Sequence, residues 1–315
     1  MNAGMEAAGE MLRTIGPVAA ALGAVLLFDH MTRRRGLDPP GFRAPLRRIA
    51  GTSLVALCFY VGIFAALGSI GRQGEIDLSQ LASWQLFALH GLFALTIVGW
   101  WAAGFLATAV APEPLPALPE GDAGGMGGRG GAGQPERAAS GWRSFAEQLG
   151  LRTPDLRREL AVGAVAGFGA WLAVLCGVVL FALLLAAISG EELLPQAPPA
   201  VIPWLAGRPI LLRLAIAASA GLVEEAFFRG FLQPRIGIAL STLFFAMAHL
   251  SYDQPIMLVG VTILSLLYGL LTRWRQNIWP AVVAHFIFDA IQLLVVIPAV
   301  LELFHPGGPG AGAAP

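Results

Sequence analysis

The sequence predicts an all-α, polytopic membrane protein of about eight transmembrane helices, the last five forming a C-terminal unit, since crossing a bilayer takes about 20 apolar residues. Three observations predict it. Apolar residues make up 56% of the 315-residue chain and 39 glycines come on top of them, whereas both groups together reach about 45–50% in a soluble domain. Charged residues make up only 13%, about half the usual share and too little to clothe a globule of this size in polar surface. The apolar residues also gather into runs, near 12–31, 49–70, 84–111, 161–188, 209–232, 236–250, 255–272 and 278–303.

The same composition excludes other classes. Every basic residue is Arg and none is Lys, beside abundant Ala, Gly and Pro, a bias of high-GC bacterial coding rather than a binding signature. A net charge of zero argues against a nucleic-acid partner. Cys58 and Cys176 each lie inside an apolar run, so neither a disulfide framework nor a zinc-ribbon spacing is available.

The first run could be read as a secretory signal, because its apolar part from Ile15 to Phe28 is short. Arg33, Arg34 and Arg35 follow it in place of a small-residue cleavage site, so a retained helix is expected. Those arginines with Arg43, Arg47 and Arg48 fill the first loop, and Arg129, Arg137, Arg143, Arg152, Arg157 and Arg158 fill 112–160, which the positive-inside rule assigns to the cytoplasm. Counting onward, the loops at 71–83 and 189–208 fall outside, Arg235, Arg273 and Arg275 fall inside, and both termini lie outside.

Residues 112–140 are Pro-rich and then Gly-rich, with almost nothing to bury, and read as a flexible linker. It divides a three-helix unit (1–111) from a membrane unit spanning 141–304. Trp142 to Leu160 carries Phe145, Leu149, Leu151 and Leu156 among several Arg, the pattern of a segment lying on the membrane surface with its apolar side in lipid. Trp84, Trp142, Trp204, Trp274 and Trp279 stand near run ends, as interfacial anchors do. The tail 305–315 reads as disordered.

An ionisable side chain at membrane depth costs roughly 2.5–3.5 kcal/mol on insertion scales, so such residues are functional hypotheses by default. The chain concentrates them in three places. The fifth run carries Glu224-Glu225-Ala-Phe-Phe-Arg229, the sixth Phe245-Ala-Met-Ala-His249, and the eighth His285-Phe-Ile-Phe-Asp289. At helical spacing Glu225 and Arg229 (i, i+4) pair on one face, which leaves Glu224 without a sequence-local cation and free for chemistry. Phe245 stands one turn from His249 and can pack over its ring. Asp289, one turn from His285, can accept from a ring nitrogen or, if protonated, donate. Singly, each pattern also occurs as structural glue. Together they supply a general base and two further proton or charge handlers, the minimum for activating water on an amide.

These three ordered motifs resemble the marks EExxxR, FxxxH and HxxxN or HxxxD of the CPBP family of intramembrane proteases, also called the CAAX protease or Abi family, over about 190–303. The resemblance implies that the C-terminal five helices are a catalytic core, in which Glu224 activates the hydrolytic water and His249 and His285 orient it or stabilise the oxyanion. Glu225, Arg229 and Phe245 would support the site, and Asp289 would take the fourth catalytic position. Many members have Asn there, whose amide donates to an oxyanion; an ionised Asp cannot, so here Asp289 is read as orienting His285. A metal-free glutamic peptidase is favoured. A zinc enzyme, with Glu224, His249 and His285 as ligands, is the alternative, although the sequence lacks HExxH.

The expected substrate is a membrane-associated protein or peptide cut near its C-terminus or a membrane-proximal segment, within the lipid bilayer of a bacterial inner membrane. His30, His90 and Asp253 are set outside the site. One conflict stands: at about 1.5 Å per residue, Glu224 and His285 lie at similar depths, but His249 lies roughly 20 Å from the cytoplasmic start of its helix. That helix must tilt, begin later, or leave the hydrocarbon. The rival classes are a non-catalytic binding or immunity protein and a proton-coupled transporter, although no inverted repeat marks a transport path.

Overall fold

A computed structural model describes residues 3–69, 82–106, 133–189, 201–250 and 254–304. Most of the stretch read as linker, the 305–315 tail and Asp253 lie outside the described residues. Every regular element among the described residues is helical.

Helix α1 runs over Ala3–Arg34. Helix α2, Pro45–Phe59, opens on a proline, whose missing N–H costs nothing at a helix start, and continues through a wide π turn at Tyr60–Phe64. Helix α3 (Ala88–Phe105) follows a 3-10 turn at Ser83–Phe87. Helices α4 (Gly133–Gln148) and α5 (Leu156–Ser189) come next, with Asp155 Oδ1 accepting the Arg158 N–H at 3.1 Å as the N-terminal cap of α5. Helix α6 is short, Val201–Ala206. Helix α7, Ile210–Ser219, runs on through π turns at Ala220–Glu224 and Ala226–Leu232 into α8, Gln233–Ala248. Helices α9 (Pro255–Arg275), α10 (Trp279–Ile291) and α11 (Ile297–Phe304) complete the chain.

The protein is thus an all-α polytopic membrane protein. Among the described residues six helices are long and apolar enough to cross a bilayer: Gly9–Arg34, Pro45–Gly68, Ser83–Phe105, Leu156–Ile188, Pro255–Arg275 and Trp279–Glu302. The two remaining runs of the eight differ for stated reasons. The fifth is helical throughout but carries Arg213, Glu224, Glu225 and Arg229, and α8 has only 16 residues.

Packing unites what the sequence divides. One aromatic core takes Phe28 from α1, Phe59 from α2, Phe93 and Trp100 from α3, Phe145 from α4, and Phe227, Phe228 and Phe231 from the helix after α7. Phe93 stacks on Phe227 with centroids 4.3 Å apart, and Trp100 meets Phe231 edge-on at 5.4 Å. Pairing 93 with 227 and 100 with 231 sets α3 parallel to the α7 continuation. A second core joins α5, α9 and α10 through Val174, Leu264, Tyr268, Ala281 and Ala284.

Helix α4 corrects an expectation. It begins inside the stretch read as linker, and only part of the apolar side expected in lipid is exposed: Trp142 and Leu156 are exposed, whereas Phe145 and, just after α4, Leu149 are buried, Phe145 against Phe105 at 5.1 Å. Gly230 allows it, since a Cβ there would stand 2.6 Å from the Leu149 carbonyl oxygen. The ends assigned to the cytoplasm gather at one end of the bundle. Arg35 Nη1 donates to the Pro234 carbonyl at 2.9 Å, buried Arg235 donates to Gln148 at 3.1 Å, and Trp279 Nε1 donates to the Leu151 carbonyl at 2.9 Å. Arg275 grips Glu159 with two nitrogens at 2.9 and 2.5 Å, fastening α9 to α5.

Candidate active site

The site is assembled where the α7 continuation, α8 and α10 meet. Both glutamates sit where the helix widens into π turns, a distortion concentrated at functional sites because it re-aims side chains without ending the helix. Gly221, within the first turn, lets α10 approach: a Cβ there would stand 2.8 Å from the Val282 oxygen and 3.0 Å from the Phe286 nitrogen. That approach brings Glu225 to His285.

Glu225 is fully buried and serves two partners. Arg229 Nε lies 3.1 Å from its Oε2, the i, i+4 pair expected from the spacing, and His285 Nδ1 lies 2.8 Å from its Oε1. Arg229 extends over the Phe245 ring at 4.5 Å and donates to the Ser265 carbonyl at 3.3 Å, tying α9 into the cluster. The second nitrogen of His285 faces Asp289 Oδ2 at 3.5 Å, longer than a good hydrogen bond but close enough for electrostatic contact. His285 therefore spends both nitrogens on carboxylates. Tyr268, buried with its hydroxyl unpartnered, holds its ring 5.4 Å from the imidazole.

His249 closes α8. Its Nδ1 donates to the Phe245 carbonyl at 2.7 Å, and Phe245 stacks on its ring with centroids 4.6 Å apart. The same phenylalanine stands edge-on to His285 at 6.1 Å, so one ring spaces both imidazoles. His249 lies within electrostatic range of Glu224 and His285. Gly237, whose φ of 86° and ψ of 169° break the backbone inside α8, removes only about 3 Å of the depth expected for His249 at about 1.5 Å per residue. The helix that presents His249 starts after that break, later than the sequence reading put it.

Glu224 is buried, and its environment is the main departure from expectation. Its Oε1 meets His90 Nε2 at 3.1 Å, and His90 Nδ1 meets Ser219 Oγ at 2.8 Å. Its Oε2 has no hydrogen-bond partner. His90 belongs to α3, in the N-terminal unit that the sequence reading leaves outside the site, 134 residues from Glu224. The rule applied to the other residues would have flagged it, for His90 too is ionisable and inside an apolar run. His30 is exposed.

A zinc ion shared by Glu224, His249 and His285 would have to compete with partners that both histidines already have. His285 turns its two nitrogens to Glu225 and Asp289, and His249 commits Nδ1 to a backbone carbonyl. No group of three or more His, Cys, Asp or Glu among the described residues is arranged to hold a metal.

Residues 206–291, which include every motif residue from Glu224 to Asp289, match the family model described as type II CAAX prenyl endopeptidase Rce1-like. The segment is Rce1-like. A relative from Bacillus subtilis (strain 168), described as the uncharacterized protein YpbD, is 40% identical over 83 residues, which are 26% of this chain and 42% of the relative. The chain thus matches less than half the length of that relative. No solved structure matches. The Rce1-like segment agrees with the CPBP resemblance seen in the motifs, and with the apolar helices it makes this an integral membrane protein. His90, the partner of Glu224, lies outside the Rce1-like segment.

Proposed function

We propose that the protein is a metal-free intramembrane endopeptidase that hydrolyses a peptide bond near the C-terminus, or in a membrane-proximal segment, of a membrane-associated protein in a bacterial inner membrane. The observation that carries this reading is Glu224: a buried carboxylate with one oxygen held and the other, Oε2, unpartnered. Leaving a buried acceptor unsatisfied is costly, and a catalytic role is one of the reasons for which sites tolerate the cost.

Glu224 Oε2 takes a proton from a water molecule as the water oxygen bonds to the scissile carbonyl carbon. The carbon–nitrogen bond then breaks, and Glu224 returns the proton to the leaving amine. His249, His285 and Asp289 position the water or stabilise the developing charge, with Asp289 acting on His285. Glu225 and Arg229 hold His285 and the π-turn backbone in place, and Phe245 fixes the two imidazoles relative to each other. The burial of the cluster supports this division, because preorganised groups in a water-poor site need no reorganisation when charge develops.

The test compares C-terminal peptides of membrane proteins from cells with the wild-type chain, a deletion, and Glu224→Gln at equal level. Uncut precursors are expected to accumulate equally in the deletion and in Glu224→Gln, and their sequences define the substrate. Wild-type processing by Glu224→Gln would remove this residue as the base and favour a binding protein.

A further inference from the structure

The geometry points to His90, supplied by α3 outside the Rce1-like segment, as a positioning residue of the hydrolytic site that fixes one oxygen of Glu224 so that the other faces the water. This inference rests on Glu224 being the base.

A glutamate has three rotatable bonds, and a base that must take a proton at one point gains from having them locked. His90 supplies the lock through Nε2, 3.1 Å from Oε1. An ionised carboxylate only accepts, so Nε2 carries the hydrogen, and Nδ1 accepts from the Ser219 hydroxyl at 2.8 Å. The carboxylate thereby selects the tautomer, and the Ser219 hydroxyl, able to donate or accept, supports it from the other side of the ring.

The backbone is shaped for this relay. Ser219 and Glu224 are five residues apart, and on a regular α-helix they would point about 140° from each other. The π turn over Ala220–Glu224 replaces i→i+4 bonding by i→i+5 bonding, which stacks residues five apart and turns both toward one imidazole. One turn along α3, Phe93 stacks on Phe227 at 4.3 Å and meets Phe228 edge-on at 5.4 Å. That contact sets the height of α3 against the glutamates. The N-terminal helices therefore complete the site.

The experiment uses the full-length chain in lipid nanodiscs with 15N-labelled histidine, and follows the ring nitrogens of His90. The expected spectrum has hydrogen on Nε2, with resonances that shift in Glu224→Gln and in Ser219→Ala. Resonances unmoved by both changes overturn the proposal, whatever the protein cleaves. In cells, the clearance of the precursors that accumulate in the deletion is then compared at equal protein level. His90→Ala is expected to slow it by about 10- to 100-fold, the usual weight of an outer partner. His90→Gln, which keeps an N–H near the position of Nε2, should restore most of the rate. Full clearance by His90→Ala beside an inactive Glu224→Gln overturns the positioning role and leaves the glutamate reading intact. Full clearance by Glu224→Gln overturns both.

Discussion

Glu225 and Glu224 are neighbours in sequence with opposite tasks, and their surroundings separate them. Glu225 has no solvent exposure and touches both Arg229 and His285. Removing one partner of a buried ion pair strands the other, at a cost of about 3–5 kcal/mol. Arg229→Ala is therefore expected to lower the thermal unfolding temperature in nanodiscs sharply, and activity with it. Glu224→Gln should leave unfolding near that of the wild type while the cleavage rate falls about 10²- to 10⁴-fold, the usual weight of a general base. Equal destabilisation by the two would refute the division of labour. The Glu225–Arg229 pair was legible in sequence because helical spacing guarantees it. The Glu225–His285 and Glu224–His90 contacts were not, because they join separate helices.

At the scale of the element, two glycines decide how the polar residues meet. Gly221 faces α10 so closely that a side chain would collide with backbone. Gly221→Val should part the helices, separate Glu225 from His285, and abolish cleavage. Gly169 in α5 is the control: a Cβ there meets nothing within 4 Å. Gly169→Ala should leave cleavage unchanged and raise stability by up to about 1 kcal/mol through helix propensity. Gly237 breaks α8 at positive φ and extended ψ, where any other residue is strained by about 1–3 kcal/mol. Gly237→Ala is expected to lower the unfolding temperature and to loosen His249, seen as broadened ring resonances. The long apolar helices could be read from composition and period. The π turns and the Gly237 break could not, because they answer to packing against helices from distant parts of the chain.

For the whole molecule, the N-terminal helices are structural partners of the Rce1-like segment. Trp100 is fully buried between Phe28, Phe42 and Phe231, and Arg235 lies 5.6 Å from its ring. Lipid tails are as apolar as these rings, so the association of the helices depends on close packing more than on the hydrophobic effect. Trp100→Ala leaves a void, at the lower end of the roughly 3–5 kcal/mol that Trp truncation costs in a soluble core. Its unfolding temperature should fall although no motif residue has changed. An unchanged value would mean that the two halves are stable separately.

The sequence by itself determined the solvent, the helical class, and the identity and spacing of the motif residues, since composition and helical period act over a few turns of one chain segment. Only the tertiary structure decided which oxygen of Glu224 is held, that His285 is shared by two carboxylates, and that Phe145 of α4 packs on protein. Those outcomes depend on how closely backbones approach at Gly221 and Gly230, and on His90 arriving from a helix 134 residues away. A hydrogen bond between distant segments leaves no periodic trace in the chain. The rule that buried polar groups need partners demands such a contact and does not name the residue that makes it.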